Sequence, residues 1–272
     1  MFKIVLDAGH GINTAGKRCM KALDPNETRE WVLNSRICNK IEQKLKAYDG
    51  YSLLRVDDTT GKTDIPLAER CKKANNFGGD IYISIHHNAG IKGGNGGGIV
   101  VFTWNNPSTQ LKEWQKLFYN NLIAKTGLKG NRSQPLSKSN FYVLVNTKMP
   151  ALLFEHGFMD SKTDVPIILS ESFAEKCAEA HVESLVKIGG LTKKPVAQTP
   201  TTNGKLYRVQ VGAYSIKNNA VKMRDKLKGM GFDAIIVNGK LYRVQVGAYS
   251  VRANAVNMQN KLKSKGFEAI IV

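Results

Sequence analysis

Four of the five histidines fall where apolar runs read as strands come to an end. His10 follows the first run (LDAGHG), His86 and His87 close the third (ISIHHNA), and His156 closes another directly after Glu155 (LLFEHGF). One histidine at a strand end is usually structural. Several converging on one sheet edge beside glutamates suggest a metal site. Hydrolytic zinc takes three nitrogen or oxygen ligands and keeps one position open for water. His10, His86 and one carboxylate would meet that demand, leaving a second carboxylate as general base. Glu27 and Glu30 are available, both expected in the first turn of a helix where the macrodipole favours anions. Glu155 ends the apolar run Ala-Leu-Leu-Phe, so it is expected at the lip of the sheet with a pKa raised by burial.

Two glycine-rich segments imitate phosphate loops. Gly11-x4-Gly16-Lys17 follows a strand, but Arg18 stands where a Ser or Thr would hold magnesium, and Pro25 interrupts the helix that should follow. Gly93–Gly98 (GGNGGG) has no Lys-Ser/Thr behind it and reads as a flexible loop entering a strand.

The elements that must carry these side chains alternate. Strands are expected over 2–8, 51–56, 81–86, 98–103, 141–145 and 151–155, and helices over 27–47, 66–76, 111–125 and 172–186. The alternation predicts an α/β domain over 1–188 with a mixed, largely parallel six-stranded sheet flanked by helices, its functional loops at strand C-termini. Residues 189–203 (from GGLTKKPVAQTPTT) lack periodicity and read as a linker.

Residues 204–272 are organised by a repeat. NGKLYRVQVGAYS at 203–215 recurs unchanged at 238–250, and the 22 residues after each copy match at 13 positions. Each 35-residue unit reads strand, helix, strand. Tyr207, Val209 and Val211 alternate with Arg208 and Gln210; Ala220, Met223 and Leu227 make a helical stripe, repeated by Ala255, Met258 and Leu262. Asn238-Gly239 between the units is the preferred dipeptide of a type I′ hairpin. One unit cannot bury its own faces, so two together predict a small ferredoxin-like βαββαβ domain with strand order 4-1-3-2. The repeated strands are then its adjacent centre, with Arg208, Gln210, Arg243 and Gln245 on the open face. Gln offers donors and an acceptor and Arg a fork for carboxylate.

Composition bounds the rest. The 272 residues carry a formal charge of +18, and 204–272 alone hold 13 Lys and Arg against 3 Asp and Glu. Such a field favours polyanions: nucleic acid, an anionic membrane or an anionic wall. RNA binding on the small sheet is disfavoured because Tyr207 and Tyr242 point with the valines, leaving no aromatic platform for bases. Cys19, Cys38, Cys71 and Cys177 are too scattered for a zinc-thiolate or disulfide framework, and Cys38 and Cys177 read as core residues. No apolar run reaches the roughly 18 residues of a membrane span, and the apolar start of the chain is too short for a signal peptide. Synthesis in the cytoplasm and no membrane insertion are expected.

DAGHG, Glu30-x3-Asn34, SIHHNA at 84–89 and FEHGFMDSKTD at 154–164 together resemble the zinc-dependent N-acetylmuramoyl-L-alanine amidases of the AmiC/CwlC type. The resemblance covers about 1–188. It implies zinc on His10, Glu30 and His86, with Glu155 acting in catalysis; Asp7 is a candidate to orient His10, and His87 and His156 are candidates to tune the site. Residues 204–272 resemble the SPOR domain, which implies binding to peptidoglycan and notably to glycan strands stripped of peptide. The two resemblances imply a wall hydrolase that cleaves the amide between N-acetylmuramic acid and L-alanine. The alternative is a wall-binding protein with a degenerate amidase domain. A phage endolysin released through a holin and a sporulation autolysin released by mother-cell lysis both fit.

Overall fold

The computed structural model describes residues 1–194 and 206–272, in two compact units divided at Lys194/Pro195. In chain order the first contains β1 (Phe2–Ala8), α1 (Glu30–Leu45), β2 (Tyr48–Asp49), β3 (Tyr51–Arg55), α2 (Leu67–Phe77), β4 (Ile81–Asn88) and β5 (Ile99–Thr103). It continues with α3 (Thr109–Thr126), β6 (Leu136–Lys138), α4 (Tyr142–Asn146), β7 (Ala151–Phe158), α5 (Val165–Ile168), α6 (Glu171–Gly189) and β8 (Thr192–Lys193). Six strands form one sheet in the order β3-β1-β4-β7-β5-β6. Every neighbouring pair is parallel except β5 with β7. Among the described residues, no helix is long and apolar enough to cross a membrane.

Side-chain alternation divides this sheet into two faces with different tasks. Ile4, Leu6 and Ala8 of β1, Ile81, Ile83 and Ile85 of β4, and Leu152 and Phe154 of β7 join one buried cluster with Leu33 and Ile37 of α1, Phe118 of α3 and Cys177 of α6. Val5, Tyr82 and Leu153 face the other way, into a smaller cluster with Cys71 and Ala74 of α2 and Val143 and Leu144 of α4. Continuing each strand by its period of two sends Asp7, His86 and Glu155 to the α2/α4 face. Ile85, His87 and His156 go to the face covered by α1, α3 and α6.

Three sequence expectations change here. Residues 141–145, expected as a strand, begin one turn of helix, α4, and the sixth strand is β6. The run FYVLV buries two adjacent residues, Val143 and Leu144, and leaves Phe141, Tyr142 and Val145 exposed; a half-buried strand would bury alternate residues. Within the linker expected over 189–203, the first residues are structured: Gly189 ends α6, Leu191 is buried, and β8 pairs with β2. Its remainder from 195 lies outside the described residues. The first helix begins at Glu30, which leaves Glu27 outside it.

The second unit contains β9 (Tyr207–Tyr214), α7 (Lys217–Gly229), β10 (Ile235–Val237), β11 (Tyr242–Tyr249), α8 (Arg252–Lys263) and β12 (Ile270–Ile271). Its antiparallel sheet has the order β10-β11-β9-β12, which is the expected 4-1-3-2. The core is built in duplicate from Val209 and Val244, Ala220 and Ala255, Leu227 and Leu262, and Phe232 and Phe267. The expected type I′ turn is absent. Val237 pairs with Arg243, so five residues make the connection, and neither Asn238 nor Gly239 has the positive φ that type I′ requires. With Val244 buried opposite Ile236, that register is set by the core and not by the dipeptide.

Candidate metal centre

Glu30 is the first residue of α1, where the helix N-terminus favours its charge. It is buried to 1% exposure. Its Oε1 lies 3.0 Å from His86 Nδ1 and accepts the His87 backbone N–H at 3.2 Å. Its Oε2 lies 3.4 Å from His10 Nε2 and 3.8 Å from Lys17 Nζ, with no hydrogen-bond donor aligned on it. Burial alone would raise this carboxyl, but the His10 and His86 imidazoles beside it hold it well below the usual glutamate range. Each of His10, Glu30 and His86 offers one ligand atom, and the three atoms lie within 4.8 Å of one another.

Backbone geometry brings these groups together. β1 pairs with β4 only as far as Ala8 beside Ile85, and Gly9 N–H makes the last bond to Ile85 O. The chain then leaves the sheet through His10, whose φ is +68°. β4 runs on, so the His87 N–H on that side meets Glu30 in place of a strand. A Cβ on Gly9 would sit 2.0 Å from the His86 ring, so that position must be glycine for His86 to lie against the chain. Asn34, one turn along α1, closes the arrangement. Its Nδ2 donates to Gly9 O at 3.1 Å and to Glu30 Oε1 at 3.4 Å, while its Oδ1 lies 2.8 Å from His87 Nδ1.

Several assignments made from sequence separate here. Glu27 lies outside the cluster with φ +48° and pairs with Arg18 at 3.3 Å. Asp7 does not touch His10. It faces α2, where it accepts from Arg70, Tyr82 Oη and Ser84 Oγ. Arg70 was not singled out from the sequence, since LAERCKKA reads as an ordinary charged helix face. It is nevertheless buried, and its five N–H groups meet Asp7, Ala8 O, His10 O, Asp64 and Ile65 O. The link from Asp7 to His10 thus runs through a guanidinium that holds the His10 backbone. His156 also points away from the cleft: its Nε2 lies 2.9 Å from His181 Nε2 on α6 and its Nδ1 is 3.3 Å from His86 O.

Glu155 stands beside His86 across the β4–β7 pairing and lines the same cavity, of about 460 Å3, with His10, Lys17, Pro66, Phe141 and Tyr142. Its Oε2 is buried without a partner. Burial pushes its carboxyl up to about 8; His86 counters and Glu30 adds to the rise. On the small sheet, Gln210 and Gln245 sit opposite each other at the centre of the open face, each 8% exposed, with Arg208 and Arg243 to either side. Ile235 and Ile270 flank that glutamine pair at 56% and 55% exposure.

A pH dependence follows for the metal-free protein. Folded Glu155 keeps its proton to about pH 8, whereas the unfolded chain releases it near 4.5, so stability falls as pH rises across that span. His86 acts in the same direction: burial opposes its charge, but Glu30 raises it, so its contribution is also lost as pH rises. His87, His156 and His181, depressed by burial, act oppositely, but mainly below about pH 6.5. Urea unfolding should therefore show a loss of about 1 kcal/mol from pH 7 to pH 8, and Glu155→Gln should remove most of it. A stability that holds or rises over that unit would show that Glu155 is already ionised.

The family model for N-acetylmuramoyl-L-alanine amidase matches residues 4–187, and that for the SPOR domain matches residues 203–272. The sporulation-specific N-acetylmuramoyl-L-alanine amidase of Bacillus subtilis (strain 168) is 31% identical over 238 residues, 87% of this chain and 85% of that protein. The endolysin of Bacillus phage SPP1 is 28% identical over 222 residues, 80% of this chain and 78% of its own. Among solved structures, the catalytic domain of CwlV, an N-acetylmuramoyl-L-alanine amidase from Bacillus (Paenibacillus) polymyxa var. colistinus, shares the fold. Its TM-score is 0.62 at 22% identity, with 71% of this chain and all of that one covered. Over its first two thirds, this chain is thus a member of the N-acetylmuramoyl-L-alanine amidase family, followed by a SPOR domain.

Proposed function

We propose that the protein hydrolyses the amide between N-acetylmuramic acid and L-alanine in peptidoglycan, with zinc held by His10, Glu30 and His86. The observation that carries this reading is the buried Glu30 carboxylate, one oxygen left without a partner, between two imidazoles that line the same cavity as Glu155. The donor set suits zinc. Ligands about 2.1 Å from a tetrahedral ion lie roughly 3.4 Å apart, and Glu30 stands 3.0 Å and 3.4 Å from its two histidines. Asn34 and the His87 N–H fix the carboxylate from behind, as ligating groups require.

Bound zinc supplies Lewis acidity toward the scissile carbonyl and makes water nucleophilic near neutral pH. The remaining work falls to the chain. A cation among the three ligands favours the ionised form of Glu155, which then takes a proton from the attacking water and delivers it to the leaving amine nitrogen. Arg70 and the Asp7 cluster keep His10 in place throughout. On the second unit, Arg208, Gln210, Arg243 and Gln245 bind glycan stripped of peptide. The amides and guanidinium forks answer hydroxyl, N-acetyl and carboxylate groups, and Ile235 and Ile270 cover the apolar faces of the sugars. The protein acts on the bacterial cell wall.

Zinc should co-purify at one ion per chain, and EDTA should abolish lysis of purified walls until zinc is restored. Glu30→Ala should lose the metal while Glu27→Ala keeps it; activity that survives exhaustive chelation would overturn the metal assignment. Glu155→Gln should hold zinc fully yet lose activity by about 10²–10⁴, measured as release of new amino termini from walls. Normal lysis by that variant would move the base elsewhere. For the second unit, Gln210→Ala with Gln245→Ala should weaken pelleting with amidase-treated sacculi while leaving the far-ultraviolet circular dichroism unchanged. Undiminished pelleting that vanishes at about 1 M salt, where the Debye length is about 3 Å, would instead assign the binding to charge alone.

A further inference from the structure

A second cavity, of about 390 Å3, opens on the same face of the catalytic sheet beside Glu155. Strand register places it. Val100 lies opposite Glu155 and Phe102 opposite Leu153, and both β5 side chains line the cavity. Asn88, two residues beyond His86 and so on the same face of β4, lines it with its partner Phe158. Phe102 in turn packs edge-on against Phe141 of the catalytic cavity, their centroids 5.1 Å apart. The floor under His86 and Glu155 thus continues into this second space.

Arg132 stands over that floor. Its guanidinium carbon lies 5.4 Å from the centre of the Phe158 ring, and among the described residues it forms no ion pair. The glycine run that imitated a phosphate loop holds the segment bearing this cation. Gly97 N–H donates to Asn131 Oδ1 at 2.9 Å, and Asn131 N–H donates to Gly97 O at 3.2 Å. Gly97 has φ +118°, and a Cβ there would lie 2.4 Å from Asp164 Oδ2. That same oxygen accepts Gly98 N–H at 2.7 Å and Phe158 N–H at 2.9 Å, tying the glycine run to the strand end beneath Arg132. The cation is therefore carried on a backbone seat that tolerates no side chain.

The orientation of substrate follows from the amidase reading, on which this inference rests. Glu155 protonates the leaving amine, so the released peptide lies on Glu155's side of the ligand triad. His10 and Glu30 come from β1 and α1 on one side; beyond Glu155 on the other lie β5, β6 and Arg132. The residue after the alanine reaches about 7 Å from the scissile carbon, comparable to the two-residue step of about 7 Å from His86 to Asn88. We infer that this cavity is the subsite for the peptide, and that Arg132 binds the free α-carboxylate of an acidic residue following the alanine. A guanidinium forks onto a carboxylate, whereas a carboxamide turns N–H donors toward it.

The test uses the zinc-loaded full chain and two soluble disaccharide peptides. They differ only in whether the residue after L-alanine carries an α-carboxylate or an α-carboxamide. The parent enzyme should favour the carboxylate in kcat/KM by roughly tenfold or more, and Arg132→Gln should bring the ratio close to one, chiefly through the carboxylate substrate. Gly97→Ala, which displaces the seat while retaining the Arg132 side chain, should lower the same ratio. A ratio unchanged in Arg132→Gln, or a parent enzyme with no preference, would overturn the subsite. Lysis of walls without cleavage of either soluble substrate would also count against the subsite while leaving the amidase reading intact. Failure on walls and on both substrates would refute the amidase reading itself.

Discussion

A carboxylate with almost no access to water has to be matched by positive charge or by hydrogen-bond donors, and the catalytic unit is arranged around that demand at Glu30. A buried ion left alone would cost several kcal/mol. Here it gains a helix N-terminus, two imidazoles, a backbone N–H and an asparagine amide, yet keeps one oxygen without an aligned donor. Each provision depends on a feature of the sheet. β1 must end before β4 for the His87 N–H to be available, and the chain must turn sharply at His10 to return an imidazole over the carboxylate. Arg70 holds that turn, and Asp7 with Tyr82 and Ser84 anchors Arg70.

The pair His86-His87 shows how strand geometry assigns chemistry. Neighbours in a strand point to opposite faces, so His86 enters the cleft while His87 is buried against Asn34 of α1. Glu155 and His156 divide the same way, the first to the cavity and the second to His181 in the core. Two adjacent residues of similar chemistry therefore end in unrelated roles. The face that receives His86 and Glu155 also receives Val100 and Phe102, which makes a continuous floor on which a polymer can lie across several strands.

Much of this was legible in the sequence because apolar period and motif order report on the sheet. The strands that deliver His10, His86 and Glu155, the parallel alternation, and the duplicated halves of the small domain all follow from spacing, although β4 and β7 run on to Asn88 and Phe158, past the ends expected at 86 and 155. What was not legible depended on tertiary partners. FYVLV carries strand composition, but its surroundings bury adjacent residues and fold it as helix. Asn238-Gly239 carries a turn preference that the core register overrides. Asp7 stands three residues before His10 in the sequence, but the pleat turns it to the face of Arg70. Nothing in LAERCKKA marks Arg70 as buried, and only the glycine packing around Asn131 reveals that Gly93–Gly98 is a seat for another loop.

The central claim is that His10, Glu30 and His86, and no sulfur, hold the metal. Cys19 is the informative competitor, because it is buried near Glu30 and its thiol is pushed up to about 12 by burial and by the charges of Asp24 and Glu30. X-ray absorption at the zinc edge of the loaded full-length protein reads the ligand shell directly. The account predicts nitrogen and oxygen neighbours at about 2.0–2.2 Å with the outer-shell scattering of two imidazoles. A sulfur neighbour at about 2.3 Å, or scattering from fewer than two imidazoles, would contradict it.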